Sequence, residues 1–188
     1  FQQQLATFQQ ILAKGQADNA SIARLARLPY LHQILEGGFG RIKKFQPLDF
    51  PKVDAPHVSV IVPAHNKFNV TYFCLCALLF ASNKTSFEVV VVDDGSDDDT
   101  LDLPTLAPNV TYCRNEVAQG FVRACNLGAS HARGKYLVLL NNDTEPTVGW
   151  LDELLLAFDN FEQVGMAGSK LLYPDGRLQE AGGIVWNN

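Results

Sequence analysis

The 188-residue sequence lacks the features that would insert it into a membrane or bind it broadly to nucleic acid. No apolar run approaches the roughly 20 residues that a membrane-spanning helix needs. Asp and Glu outnumber Lys and Arg by 20 to 15, so the formal net charge is −5 and no excess of positive charge is available for a phosphate backbone. The first ten residues also lack the basic and apolar regions of a signal peptide. We therefore expect a chain without a transmembrane segment that binds no nucleic acid.

Methionine is nearly absent as well, and its scarcity bears on the origin of the chain. The sequence begins at Phe1, and its single methionine is Met166. We therefore expect the chain to be part of a longer protein. The expected location is cytoplasmic, with any peripheral attachment to the inner membrane made by the rest of that protein.

Cysteine and the common catalytic signatures are scarce too. The four cysteines are too few for a disulfide scaffold of this size, and the spacing of Cys74 and Cys76 is not that of a zinc knuckle, so we predict ordinary core thiols. The sequence contains no glycine-rich phosphate loop of the Walker or dinucleotide type, and no nucleophile elbow of the hydrolase type. The four histidines show no metal-binding spacing. Of these, only His65 falls at the end of a predicted strand.

Hydrophobic residues make up 47% of the chain, which is enough for a sizeable core. Helical spacing of the apolar residues, with breaks at Gly15 and Pro29, predicts a helical extension over residues 1–42. Three prolines predict an extended linker over residues 43–56. The remaining residues, 57–188, alternate β-branched runs with helical patterns. Strands are predicted at 58–62, 88–92, 110–113, 136–140 and 164–169, and helices at 70–82, 119–132 and 150–161.

The apolar runs in this last region are continuous and do not alternate with polar residues. Continuous runs are typical of strands covered on both faces, and their alternation with helices predicts an α/β fold with a mostly parallel sheet flanked by helices. Gly134 is expected at the residue that ends the second helix.

Polar segments follow three of the predicted strands, at 63–66, 93–96 and 141–144. In a doubly wound sheet, ligands bind outside the carboxyl ends of the strands, so these segments are expected to meet. Carboxylates that converge repel one another unless a cation or hydrogen-bond donor lies among them. A hard divalent ion with carboxylate and phosphate ligands is the simplest explanation.

Four motifs within residues 58–186 resemble those of family 2 glycosyltransferases with the GT-A fold, in the same order and spacing. Their sequences are VSVIVPAHN at 58–66, VVDDGSDDDT at 91–100, GFVRACNLG at 120–128 followed by GKY, and LLNNDT at 139–144. The last stands where the family has its DXD-type metal motif, and its NNDT form is most similar to rhamnosyltransferase-like members. The resemblance implies a Rossmann-like GT-A sheet whose nucleotide-sugar-binding part is 57–188.

The same resemblance implies roles for individual residues. Asp94 would accept from the ring N–H of uracil or thymine, and Asp93 would hold its turn. Asp143 would ligate Mn²⁺ or Mg²⁺ that bridges the diphosphate. The other residues expected to contact the nucleotide are Pro63, Ala64, His65, Asn66, Gly120, Arg123, Asn126 and Asn142. In the family pattern Tyr is commoner at the position of His65, and acidic residues are commoner at the positions of Asn141 and Asn142.

The activity implied is metal-dependent, inverting transfer of a sugar from a UDP or dTDP sugar to a glycan, lipid-linked or other hydroxyl acceptor. Glu180 and Asp175 are the only late acidic residues that could serve as the general base, and neither stands in a base-like motif. We therefore expect a domain truncated at its C-terminus that carries the donor half of the site. Two alternatives remain open: a non-catalytic nucleotide-binding pseudoenzyme, and a receiver-like regulatory domain that binds Mg²⁺, in which the spacing of Asp94 and Asp143 would also fit.

Overall fold

The computed structural model describes residue 45, residues 47–173 and residues 176–182, so the helical extension predicted over 1–42 lies outside the described residues. Four strands and three longer helices form the body of the domain, with a short helical segment and a small hairpin added. The elements in chain order are β1 (Val58–Ala64), α1 (Phe68–Phe80), β2 (Phe87–Asp94), a 3₁₀ turn (Asp99–Asp102), α2 (Leu103–Leu106), β3 (Thr111–Asn115), α3 (Phe121–His131), β4 (Tyr136–Leu139), α4 (Trp150–Asn160), β5 (Leu171–Leu172) and β6 (Leu178–Glu180).

The main sheet has the strand order β3-β2-β1-β4, and every neighbouring pair is parallel. Strand β1 is central: its residues 58–64 pair with β2, and its residues 58–61 pair with β4. The chain therefore moves outward from β1 to β2 and β3, and then returns to the opposite side of β1 for β4. This arrangement confirms the predicted α/β fold with a mostly parallel sheet.

Helices cover both faces of the sheet and bury two separate cores. Val58, Val60 and Val62 face the larger core, where they pack with α1 and with Leu151 of α4. Ile61 faces the smaller core on the other side, together with two valines of β2 and Ala124 of α3. All seven residues of β1 are buried, as a strand between two helical layers requires.

Strand β4 departs from the expectation of coverage on both faces. Its residues alternate in exposure, and Leu137 and Leu139 are 52% and 56% exposed. Helix α3 packs mainly over β1 and β2, not over β4. An apolar run alone cannot distinguish a central strand from a strand at the margin of the sheet.

The described part of the predicted linker packs on the domain. Residues 47–57 form neither helix nor strand, but Leu48 and Phe50 are 3% and 4% exposed in the larger core. The backbone N–H of Leu48 donates to the carbonyl of Leu106 at 2.6 Å. The segment is therefore extended and at the same time held against α1 and α2.

Two local predictions were wrong. The fifth strand predicted at 164–169 does not form; the segment has no regular structure, and Met166 is 89% exposed. Two glycines within six residues weaken any strand there, and the short β5–β6 hairpin forms farther along the chain. Gly134 does not adopt a left-handed conformation. A Cβ at this residue would lie 2.5 Å from the backbone nitrogen of Ser59, so glycine is needed for close approach to β1.

The cysteine prediction is confirmed, because Cys74, Cys76, Cys113 and Cys125 are all buried and free. Among the described residues, no helix combines the length and the apolar character needed to cross a bilayer.

Candidate functional site

The strand order creates a crevice at the carboxyl end of β1. Because β2 and β4 lie on opposite sides of β1, the connections after β1 and β4 diverge there, and this is where doubly wound sheets bind ligands. The segment after β1 contributes His65 and Asn66, and the segment after β4 contributes residues 141–144. Asp94 at the end of β2 lies two strand spacings from β4, or about 10 Å. The edge can therefore accommodate a ligand that reaches from β2 across β1 to β4.

The turn that follows β1 has an unusual backbone. Asn66 and Lys67 have φ angles of 54° and 55°, in the left-handed region that non-glycine residues rarely occupy. Three hydrogen bonds fix the turn on the loop after β2: Asn66 N donates to Ser96 Oγ at 2.7 Å, Asp97 N to Asn66 Oδ1 at 2.9 Å, and Phe68 N to the carboxylate of Asp98 at 2.8 Å. Backbone strain of this kind often accompanies binding sites. Asn66 is thus brought to the edge as predicted.

His65 also lies at this edge, with an exposed ring. Its Nδ1 is 2.8 Å from the carbonyl oxygen of Asp94, which can only accept a hydrogen bond. Nδ1 is therefore the donor in this hydrogen bond. Pro63 and Ala64, in contrast, lie inside β1 and are buried, so their side chains are not on the open edge. The strand is two residues longer than the sequence predicted.

Pro63 is compatible with a central strand because β4 ends early. The last hydrogen bond between β4 and β1 joins Leu140 N to Ile61 O, and beyond it β1 has no partner on that side. The missing N–H of proline consequently removes no bond from the ladder.

Asp93 is a structural residue, as predicted. Its side chain is fully buried and accepts from Ser96 N at 2.8 Å, from the hydroxyl of Tyr112 at 2.6 Å and from the guanidinium of Arg114. Burial favours a higher pKa for Asp93, but these hydrogen bonds hold its pKa below the usual value. Burial and the bond to Asp93 raise the pKa of Tyr112 to about 12.

Tyr112 and Arg114 were not identified from the sequence. A signal was available in retrospect: polar residues two apart on a strand share one face, and the register of β3 places Arg114 opposite Asp93.

Asp94 is 5% exposed and holds the loop before α3. Its Oδ1 accepts from Asn115 Nδ2 at 2.7 Å and from Gln119 N at 2.9 Å, and its Oδ2 accepts from Gly120 N at 2.8 Å. Burial alone would raise the pKa of Asp94, yet these donors keep its pKa low and the carboxylate charged. Three of about four lone-pair sites are used, so one remains on Oδ2.

Helix α3 brings only part of its predicted set to the edge. Gly120 is the residue before the helix, and its φ of 88° and its bond to Asp94 place it there. Arg123 is exposed and donates to the side chain of Gln119 at 2.7 Å. Asn126 is exposed six residues beyond Gly120, which is about 9 Å farther along the helix axis.

The loop after β4 rests on α1. Asn142 Nδ2 donates to the hydroxyl of Thr71 at 2.8 Å, so this amide is turned toward the helix. The thiol of Cys74 contacts the carbonyl of Asn141 at 3.6 Å, and burial raises the pKa of Cys74 to about 12. Asp143, the next residue in this loop, has an exposed side chain.

The residues of this loop fit a cation that is shared with a phosphate better than one held by protein alone. Within the described part of the chain, no three His, Cys, Asp or Glu side chains cluster as a metal site. Asp143 offers one carboxylate, and Mg²⁺ in phosphate-transfer sites is commonly bound by one or two carboxylates together with substrate phosphates. Of the two late acidic residues, Glu180 is exposed on β6, and Asp175 lies outside the described residues.

Comparison with known proteins gives a consistent result. The sequence model of glycosyl transferase family 2 matches residues 59–184, more than half of the chain. The chain is 32% identical over 140 residues to the O-antigen biosynthesis protein RfbC of Myxococcus xanthus, and 33% identical over 102 residues to glycosyltransferase AglE of Haloferax volcanii. These matches cover 72% and 52% of this chain.

The relatives are much longer than the matched region. The chain spans 11% of the Myxococcus protein and 34% of the Haloferax protein, and it spans 16% of the uncharacterized protein y4gI of Sinorhizobium fredii, to which it is 32% identical over 142 residues. Among solved structures, the crystal structure of S. aureus TarS is similar with a TM-score of 0.46 and 27% identity, over 55% of this chain and 19% of that one.

Proposed function

This chain belongs to glycosyl transferase family 2, and from that premise we propose that it binds the nucleotide-diphosphate sugar of a sugar-transfer reaction at the carboxyl edge of its sheet. The donor is a UDP or dTDP sugar, the cofactor is Mn²⁺ or Mg²⁺, and the sugar passes to a hydroxyl group of a glycan or lipid-linked acceptor with inversion. Family membership argues against the receiver-like alternative.

The observation that carries this proposal is the pair of carboxylates on either side of β1. Asp94 is buried and charged at the end of β2, and Asp143 is exposed beyond β4. A nucleotide laid across β1 would direct its base to Asp94 and its diphosphate to Asp143. His65 and Asn66 lie between the two, where a base or ribose would contact them.

Asp94 supports a choice among bases. With one acceptor site left, its carboxylate can take a single ring N–H, which uracil and thymine offer. Guanine presents two adjacent donors, but Oδ1 already accepts from Asn115 and Gln119. Cytosine has no ring N–H at this position and would direct a lone pair at the charge. The arrangement therefore favours uridine and thymidine nucleotides.

At the other end of the nucleotide, Asp143 would hold the divalent cation jointly with the two phosphates. An ion held there would supply positive charge to stabilise the diphosphate leaving group. Asp93 is fully buried and committed to hydrogen bonds, and the remaining acceptor site of Asp94 is assigned to the base, so neither is left to deprotonate an acceptor. We assign these residues to donor binding, and we assign the general base to none of them.

Isothermal titration of the 188-residue chain with UDP, dTDP, CDP and GDP tests this function. UDP and dTDP are expected to bind about tenfold more tightly than CDP, since a hydrogen bond to a charged group contributes about 1.5–3 kcal/mol. Mn²⁺ should increase the affinity for UDP, and EDTA should remove that increase. The variant Asp143→Asn should lose the Mn²⁺ effect while its thermal unfolding is unchanged, because the side chain is exposed.

Two results would contradict the proposal. Equal affinity for all four nucleotides would refute the role of Asp94 in base selection. Affinity for UDP that is the same in Mn²⁺ and in EDTA would refute the role of Asp143. A binding protein without turnover is distinguished by release of UDP from a UDP sugar in the presence of acceptor glycan.

A further inference from the structure

We propose that Thr71 is a positioning residue for the cation: its hydroxyl holds Asn142, and through Asn142 it fixes the loop that carries Asp143. This inference rests on the proposed function, because it assigns a support to the cation that the proposed function places at Asp143. Thr71 itself would contact neither nucleotide nor metal.

The contact is well defined on both sides. Thr71 lies in the first turn of α1 and is completely buried. Asn142 Nδ2 donates to its Oγ1 at 2.8 Å, and the two residues are 71 positions apart in sequence. A buried hydroxyl that loses its partner is unfavourable, so this bond resists opening. Asn142 is thereby held in one orientation in an otherwise exposed loop.

A second contact from the same helix supports the same loop. Cys74 follows Thr71 by three residues, so both lie on one face of α1. The thiol of Cys74 is 3.6 Å from the carbonyl of Asn141, and that carbonyl also accepts from the hydroxyl of Thr144 at 2.7 Å. Hydrogen bonds therefore hold both neighbours of Asp143: Asn142 is bound to Thr71, and Thr144 is bound to the carbonyl of Asn141.

The location of Thr71 links the two halves of the crevice. Its backbone N–H donates to the carbonyl of Lys67, which belongs to the left-handed turn after His65 and Asn66. One turn of helix thus supports the segment expected to contact the base and the segment expected to hold the cation. With a single carboxylate in the motif, no second acidic ligand compensates when Asp143 is displaced.

The chain offers a matched control for a test of this role. Thr100 is also fully buried, and among the described residues no hydrogen bond joins its hydroxyl to residues 141–144. Thr71→Val and Thr100→Val remove the same atom from equally buried sites. Only the first removes a bond to the loop of Asp143.

The experiment measures UDP affinity by isothermal titration, with Mn²⁺ and with EDTA, for the 188-residue chain and four variants. The variants are Thr71→Val, Asn142→Ala, the double variant and Thr100→Val. The gain in affinity that Mn²⁺ produces is expected to fall about fivefold in Thr71→Val, as for loss of one ordinary hydrogen bond. The affinity for UDP measured in EDTA should change by a smaller factor than the gain in affinity that Mn²⁺ produces. Thr100→Val should match the unchanged chain in both conditions.

The double variant separates positioning from a general loss of stability. If Thr71 acts through Asn142, the double variant should lose no more of the Mn²⁺ gain than Asn142→Ala alone. Asn142 lies in a surface loop, so Asn142→Ala provides the same test where Thr71→Val fails to fold.

The outcomes distinguish this inference from the proposed function. Absence of UDP binding, or of a Mn²⁺ effect, in the unchanged chain refutes the proposed function and this inference with it. A Mn²⁺ effect that is normal in the unchanged chain and equally normal in Thr71→Val and Asn142→Ala overturns this inference alone. Equal losses in Thr71→Val and Thr100→Val also overturn it, because they indicate a structural effect of burial.

Discussion

The two ends of strand β2 hold buried carboxylates in different ways. Glu88 at the amino end is 7% exposed and accepts from the hydroxyl of Ser59, and from the backbone and the guanidinium of Arg133. Asp94 at the carboxyl end is 5% exposed and accepts from three neutral N–H groups. Hydrogen bonds hold the pKa of both groups low against the effect of burial. Of the two, only Glu88 forms an ion pair with a Lys or Arg among the described residues, and its partner is Arg133.

The partners of Glu88 tie together three parts of the chain at the amino end of the sheet. Arg133 also donates to the carbonyls of Val53 and Asp54, so a single side chain joins the segment before β1 to β2 and to the turn before β4. Every polar group in this cluster finds its partner inside the protein. At the carboxyl end, the carboxylate of Asp94 retains one acceptor site that a ligand could use. A buried acid paired with an internal cation indicates structure, whereas one held only by neutral donors beside a crevice indicates binding.

The largest expected effect is the loss of the pair at the amino end. Glu88→Ala should lower the free energy of unfolding by about 3 kcal/mol, the low end of the range for breaking a buried ion pair, because the Arg133 side chain is 54% exposed. Urea unfolding at pH 7 measures this loss. Nucleotide affinity of the folded variant should be unchanged, and a loss of affinity as large as that of an Asp94 variant would contradict the comparison.

Removing the charge at the carboxyl end should have a smaller effect on stability and a larger effect on binding. Asp94→Asn should lower UDP affinity about tenfold, as for a lost hydrogen bond to a charged group, and lower the free energy of unfolding by about 1 kcal/mol. The control is Asp97→Asn, the same change at an exposed carboxylate three residues away. If both variants lose affinity equally, the effect is general electrostatics and the specific role of Asp94 is refuted.

The smallest effect concerns pH. Glu88, Asp93 and Asp94 have folded-state pKa values below those of the unfolded chain. Their contribution to stability is therefore complete above the unfolded pKa values, near 4, and is lost as pH falls through the folded ones. The free energy of unfolding should be nearly flat between pH 7 and 5 and decrease below about 4. Chemical denaturation across this range tests the sign, and a stability that increases on acidification would contradict it.

Those variants also sharpen the comparison. Glu88→Ala and Asp94→Asn each remove one of the groups whose pKa is lowered, so each should show a shallower loss of stability below pH 4 than the unchanged chain. A slope that is steeper in either variant would show that the removed carboxylate had a raised pKa.

Much of the fold followed from local patterns. The apolar runs located β1, β2 and β4, and the helices predicted at 70–82, 119–132 and 150–161 form within two residues of those bounds. The segment at 164–169 failed because an apolar run forms a strand only when another strand is there to pair with it. Pairing partners are set by the fold and are invisible in a local window.

The sequence predicted which side chains lie at the edge of the sheet, but it did not predict the hydrogen bonds that hold them there. Strand ends predicted that Asp94, His65, Asn66 and Asp143 would lie along one edge, and the structure brings them there. The sequence pattern did not predict the hydrogen bond between Asn142 and Thr71, which is 71 residues away. It also suggested that Pro63 and Ala64 would be open to a ligand, because the length of β1 depends on its pairing with β2.

The path of the segment before β1 has a consequence for whatever precedes it. The ring of Phe45 packs 4.6 Å from that of Phe68 and 4.8 Å from that of Tyr72, so the chain joins the domain beside the turn that carries His65 and Asn66. The chain then passes α1 and enters β1 at the amino end of the strand, opposite the crevice. Attachment to the same chain makes an encounter intramolecular, with an effective concentration that depends on the length of the connection. Any group attached just upstream of Phe45 would thus encounter the crevice far more often than the same group free in solution.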